Sequence, residues 1–178
     1  MPDNPILILI LAAIGVALAI VAGYYLIRFM RGSIKLNMTQ VTFNPGDTIT
    51  GSFDLHTKKP IEGNKLTVSL IGKQVTKTRR GGKTRTQTHE IYRDEKILEQ
   101  TTHYPAEHRS SHEFEIPTPN SKAPDFANNA IFQGLAGAMR MLSDRHTYLK
   151  WRVEARLDAK GVDLAASKKV TVNVGSLL

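Results

Sequence analysis

From Ile6 to Ile27 the chain carries no charged side chain for 22 residues, and no other feature of the sequence constrains the fold so tightly. At 1.5 Å per residue a helix of that length spans about 33 Å, enough to cross the hydrocarbon core of a bilayer. A cleaved secretory signal opens on a basic stretch and has a shorter apolar core, whereas "MPDNP" contains neither Lys nor Arg. The run therefore reads as a retained single-pass transmembrane helix over 6–27, with residues 1–5 as a short extracytoplasmic tail. Arg28, Arg31 and Lys35 follow it, and Tyr24 and Tyr25 stand at interfacial depth, so the positive-inside rule places everything beyond 28 in the cytoplasm. The expected location is a cell membrane, a bacterial inner membrane, with the N-terminus outside. Gly15, Ala19 and Gly23 recur every four residues, which gives one helix face where a second helix, from another membrane protein or a second copy, approaches closely.

Past the helix the composition changes. All 24 Lys and Arg follow Ile27, against 15 of the 16 acidic residues, and the chain carries a formal charge of +8. A surface of that sign favours anionic partners, whether phospholipid, nucleic acid or acidic protein. With no cysteine, the chain can form no disulfide framework, thiolate metal site or thiol nucleophile. Residues 28–33 read as a basic juxtamembrane linker. The remainder, 34–178, is long enough for one domain with a sizeable core.

The apolar spacing of that remainder alternates, the period-2 pattern of half-buried strands. In "TYLKWRVEARLD", Leu149, Trp151, Val153, Ala155 and Leu157 fall on one face, while Tyr148, Lys150, Arg152, Glu154, Arg156 and Asp158 fall on the other. Similar alternation occurs at Ile34/Leu36/Met38, Ile49/Phe53/Leu55, Leu66/Val68/Leu70, Phe114/Ile116 and Val170/Val172/Val174. Turn-grade breakers lie between: "NPGD" at 44–47, "EGN" at 62–64, "RRGGK" at 79–83, "PTPNSKAP" at 117–124 and "DAKGVD" at 158–163. Many short strands without βα periodicity predict a mainly β fold, an antiparallel β-sandwich. One segment departs from the pattern. Over about 125–144, Ile131, Phe132, Leu135, Met139 and Leu142 share one side of a helical wheel, which predicts an inserted amphipathic helix for a partner, a membrane surface or the domain's own core.

The stretch "FNPGDTITGSFDL" shows an aromatic, a Pro-Gly turn and an alternating strand with an internal glycine at Gly51. With "LTVSLIGKQV" at 66–75, "HEFEIPTP" at 112–119 and the 148–172 strand pair following in order, it resembles the arrestin-like family. The resemblance implies a single arrestin- or immunoglobulin-like sandwich, similar to retromer arrestin-like and bacterial sporulation-control proteins. It also implies an adaptor that binds proteins and membranes. This chain has one half rather than two, so mechanisms that depend on motion between halves do not carry over.

Reactive chemistry is sparse. "GGKT" at 81–84 resembles the end of a phosphate-binding loop, but the motif's first glycine falls on Lys77 and a strand, not a helix, follows. The same stretch reads better as a β-hairpin tip, with Gly81-Gly82 supplying a type I′ turn and Lys77, Arg79, Arg80, Lys83 and Arg85 a cationic surface for anionic lipid or an acidic partner. His103, His108 and His112 with Glu107 are a loose metal candidate without HExxH spacing. Ser110 and Ser111 lack a nucleophile elbow. Trp151 reads as core. Basic residues interleaved with aliphatic side chains, and no nucleic-acid motif, argue against nucleic acid as partner. No catalytic residue, metal or cofactor is expected. Three functions fit: a membrane-anchored cytoplasmic adaptor, a structural accessory subunit of a membrane complex or, with reversed topology, an extracytoplasmic binding module.

Overall fold

The structure, a computed structural model, describes residues 5–80, 82–119 and 147–173. The expected helix over 125–144, with Ile131, Phe132, Leu135, Met139 and Leu142, lies outside the described residues, as does Gly81. Among the described residues one helix, α1 (Pro5–Arg31), precedes eight strands: β1 (Gly32–Asn37), β2 (Thr42–Phe43), β3 (Thr48–Thr57), β4 (Ile61–Arg80), β5 (Lys83–Tyr104), β6 (Arg109–Pro117), β7 (Thr147–Ala159) and β8 (Leu164–Val172).

The strands form two sheets, ordered β1-β3-β6 and β2-β8-β7-β4-β5. All pairings are antiparallel except the short β2–β8 contact. Side chains from both sheets meet in one core: Phe53, Leu55, Phe114 and Ile116 from the three-stranded sheet, Leu66, Leu70, Val153 and Leu157 from the five-stranded one. Burying each such side chain contributes about 1.5–3 kcal/mol relative to leaving it exposed. The β7 alternation follows the sequence pattern, with Trp151, Val153, Ala155 and Leu157 buried and Lys150 and Arg156 exposed. Over the outer face run ion pairs such as Arg152–Glu154 (2.8 Å) and Lys65–Glu95 (2.8 Å), while Thr67, Ser69 and Ile71 of β4 are buried on that side.

The "NPGD" stretch forms the expected turn. Pro45 holds the second position, Gly46 takes φ 86°, and Asp47 N donates to Asn44 O at 3.1 Å, a type II pattern. Buried Thr118 latches that turn by donating its hydroxyl to Asn44 O and Asp47 O, each at 2.8 Å. The internal Gly51 marks a close approach rather than a bulge. Its register with Phe114 is unbroken, and a Cβ there meets the Phe114 ring at 2.7 Å.

"EGN" at 62–64 breaks nothing. β4 runs through it, and the breaker residues appear instead as a register shift against β7 between Gly63 and Lys65. The absent Gly63 side chain makes room for the Tyr104 ring, 2.7 Å from where a Cβ stands. The linker expected at 28–33 is likewise missing. The helix continues through Arg31 and β1 opens at Gly32, whose φ of 153° and 2.2 Å Cβ approach to His56 O restrict the position to glycine.

Candidate functional site

Two features stand at opposite ends of the domain. At one end α1 emerges with its apolar side chains exposed, Leu9, Ile20 and Val21 among them, and its stretch Ile8–Arg31 is long and apolar enough to cross a membrane. Its last residue ties it to two turns. Lys58 N donates to Arg31 O at 2.8 Å, Arg31 Nη1 donates to Lys160 O at 2.9 Å, and Lys58 Nζ lies 3.5 Å over the Phe29 ring. Arg31, expected at the headgroups, directs its guanidinium at the β7–β8 turn and so fastens the helix to the domain. Lys35 is exposed on β1, in register with Asp54. Arg28 lies in the last turns of α1, and Gly15 and Gly23 face open space, with nothing within 4 Å of an added Cβ.

At the other end is the tip of the β4–β5 hairpin. β4 starts at Ile61, two residues past the junction contacts of Lys58 and Lys59, and runs 20 residues away from it. At about 3.3 Å per residue that is roughly 60 Å. Among the described residues β7 accompanies β4 as far as Thr76, opposite Thr147. Beyond that point, among the described residues, Lys77–Arg80 and Lys83–Thr86 pair with each other, closing at Gly82 with φ 77°. Cross-strand partners put Lys77 and Arg79 on one face and Lys83 and Arg85 on the other, interleaved with Thr78, Thr84 and Thr86. Arg79, Lys83 and Arg85 are exposed, and Lys77 Nζ stands 5.6 Å from the Tyr148 ring centre. The hairpin tip is therefore as expected, and β4 separates it by its whole length from the junction with α1.

The histidines do not converge. His103 Nδ1 meets Glu62 Oε1 at 2.5 Å, His108 packs on the Tyr104 ring, and His112 stacks on Phe53 with ring centres 5.3 Å apart. Glu107 contacts His56 at 3.2 Å rather than any of the three. Among the described residues no group of three or more His, Asp or Glu gathers as metal ligands. One trio has the composition of a nucleophile site. Ser110 Oγ lies 2.9 Å from His112 Nε2, and Glu99 Oε1 lies 3.8 Å from that same nitrogen. A working relay needs the carboxylate on one ring nitrogen and the hydroxyl on the other, so this geometry does not activate Ser110. Glu99 instead accepts the Tyr104 hydroxyl at 2.5 Å, and burial together with that bond pushes the phenol well above its ordinary value. Trp151 is core, seated on Gly72 and edge-on to Tyr92 at 5.4 Å.

Sequence reasoning missed the cations at the α1 end: Lys58, Lys59 and Lys160. They lie about a hundred residues apart in the chain, and only the two turns meeting at Arg31 bring them together.

No family model matches the sequence, and no curated protein matches it. Among solved structures, the chain is similar to the sporulation control protein Spo0M of Bacillus subtilis, with a TM-score of 0.53 and 10% identity over 80% of this chain. The match takes in 49% of that protein's length, so this chain spans about half of it. At that identity the likeness bears on fold alone, and the fold is a β-rich, arrestin-like one with, among the described residues, two sheets and one N-terminal apolar helix.

Proposed function

We propose that the chain is a membrane-anchored, non-enzymatic adaptor. In this reading α1 spans a cell membrane with its N-terminus outside, and the arrestin-like domain stands in the cytoplasm and holds a protein partner. The observation that carries it is the opposition of the two ends: a helix with an uncharged run over 6–27 leaves one end, and a ribbon with cations on both faces projects from the other. Between Lys77 and His89 the ribbon holds five Lys and Arg and no carboxylate, so its complement is an acidic protein surface. At about 60 Å from the helix junction and a Debye length of about 8 Å, headgroups around α1 lie beyond its reach. The partner is a membrane protein or one held near the membrane.

The test is photo-crosslinking from position 84 in the full-length protein, followed by identification of what is captured. Arg79→Glu with Lys83→Glu lowers recovery of that partner at least ten-fold if the ribbon is the contact; undiminished recovery overturns the assignment. Topology is checked independently, since the chain lacks cysteine. A Thr84→Cys variant stays unlabelled by an impermeant maleimide on intact cells, and labelling from outside favours the extracytoplasmic module.

The accessory-subunit reading rests on the open face at Gly15 and Gly23, continued by Ala19. Ala19→Leu fills that face, and loss of a co-purifying membrane protein in the variant supports this second function.

A further inference from the structure

We infer that the end of the domain from which α1 emerges is a docking face for anionic phospholipid headgroups, with Lys58, Lys59, Lys160 and Arg109 as the contacting cations. The inference rests on the reading that α1 spans a bilayer, and it assigns lipid contact to residues other than those of the hairpin tip.

Position comes first. The uncharged run ends at Ile27, and four more residues carry the helix to Arg31, about 6 Å further along its axis. That is about the depth of one headgroup layer. Arg31 bonds to Lys58 N and to the Lys160 carbonyl, so the β3–β4 and β7–β8 turns are fixed at the point where the helix leaves that layer. With β1 starting at Gly32, no slack exists for the domain to stand off from the surface.

Charge comes second. Lys59 and Lys160 are exposed and have no ion-pair partner among the described residues. Lys58 holds its ammonium 3.5 Å over the Phe29 ring, a cation–π contact at the end of the helix. Arg109 opens β6, exposed, in register with His56 at the same end. Carboxylates at this end are fewer than the cations: Glu107 meets His56 at 3.2 Å, Glu62 meets His103 at 2.5 Å, Asp158 lies in register with Lys65, and Asp163 is held by Arg156 and by Ala159 N. Lys58, Lys59, Lys160 and Arg109 outnumber Glu62, Glu107 and Asp158, so the face is net cationic.

The experiment uses the full chain in lipid nanodiscs of phosphatidylcholine alone or with added phosphatidylglycerol. A Pro60→Cys variant, labelled with an environment-sensitive fluorophore, reports the exposed β3–β4 turn through quenching by neutral acrylamide. Quenching is expected to fall at least two-fold when phosphatidylglycerol is present. Each cation near an anionic surface contributes about five-fold to docking, so Lys58→Gln, Lys59→Gln, Lys160→Gln and Arg109→Gln combined shift the equilibrium more than about 100-fold and restore the phosphatidylcholine value. Unchanged Trp151 emission verifies the fold of that variant, and a label at Thr84→Cys responds to neither lipid. Equal quenching of the Pro60 label in both lipids overturns the docking face while leaving the anchor intact. A chain that fails to enter the discs removes the anchor and the docking face together.

Discussion

The lower and upper parts of the β4–β5 hairpin are made from the same two strands and obey opposite rules. From Gly63 to Thr76, β4 is flanked by β7 on one side and β5 on the other, and Leu66, Val68 and Leu70 are fully buried beneath the facing sheet. From Lys77 to Thr86 the same strands have no β7 partner among the described residues, and the described side chains are exposed on both faces. The backbone ladder continues unchanged, while the apolar side chains stop. A strand therefore owes its burial to its neighbours rather than to its own pairing. In the upper part Thr residues keep the β conformation, and Lys and Arg keep it soluble. Alone, a two-stranded ribbon is marginal; here the lower part nucleates it.

If that contrast is right, the largest effects belong to the lower part. Trp151→Ala, which empties the seat on Gly72 beside Tyr92, costs about 3–5 kcal/mol of stability, read from thermal melting of the detergent-solubilised protein by circular dichroism. A cost below about 1 kcal/mol breaks the comparison, because it makes the buried part as expendable as the exposed one. Gly72→Val approaches the same contact from the other side. The added Cβ stands 2.7–2.9 Å from indole atoms, an overpacking worth about 1–3 kcal/mol. Trp151 is the sole tryptophan, so its emission reports the displaced ring directly.

The top of the lower part, just short of the boundary, carries the intermediate effect. There β5 takes a register shift between Gly72 and Lys73, and Arg93 donates two hydrogen bonds to Glu90, at 2.7 and 3.1 Å. Those bonds hold the Glu90 carboxyl below its ordinary value. A lowered folded value means stability that is complete above the unfolded value and is lost as pH falls through the folded one. The nearby Asp94 carboxyl is pushed up by burial, so its ionised form is a cost that acid relieves, and the two oppose each other. Arg93→Ala isolates the first. Both partners are more than a third exposed, so the wild type exceeds the variant by only a few tenths to about 1 kcal/mol at neutral pH, and the gap narrows below about pH 4.

Much of the lower part was legible in the sequence because burial writes a period. Leu149 to Leu157 announced both the strand and its inner face, and Pro45-Gly46 announced a turn that one hydrogen bond closes. "EGN" misled because breaker residues have two structural outcomes, a turn or a bulge, and only the 20-residue length of β4 decides between them. The cationic tip was legible as a hairpin but not as a direction. Which end of the domain it occupies depends on where α1 joins, and that is fixed by Arg31 reaching Lys160, a contact between residues 129 apart. The same distance hid Lys58, Lys59 and Lys160 as a group.

The smallest expected effect is the one that most sharpens the contrast. Replacing Lys77–Thr86 by a two-residue Asn-Gly turn joins β4 to β5 where β7 ends, and removes no side chain buried in the core. The ion pairs of the lower part and the Gly72–Trp151 contact stay in place, so melting temperature and denaturant midpoint stay within the span of a surface change, about 0.5 kcal/mol. A loss of several kcal/mol instead assigns the ribbon a structural duty that its exposure does not suggest. A neutral outcome leaves the sequence of the ribbon without a folding role. Five cations, interleaved with threonine and far from the helix, are then held there by what they bind rather than by what they stabilise.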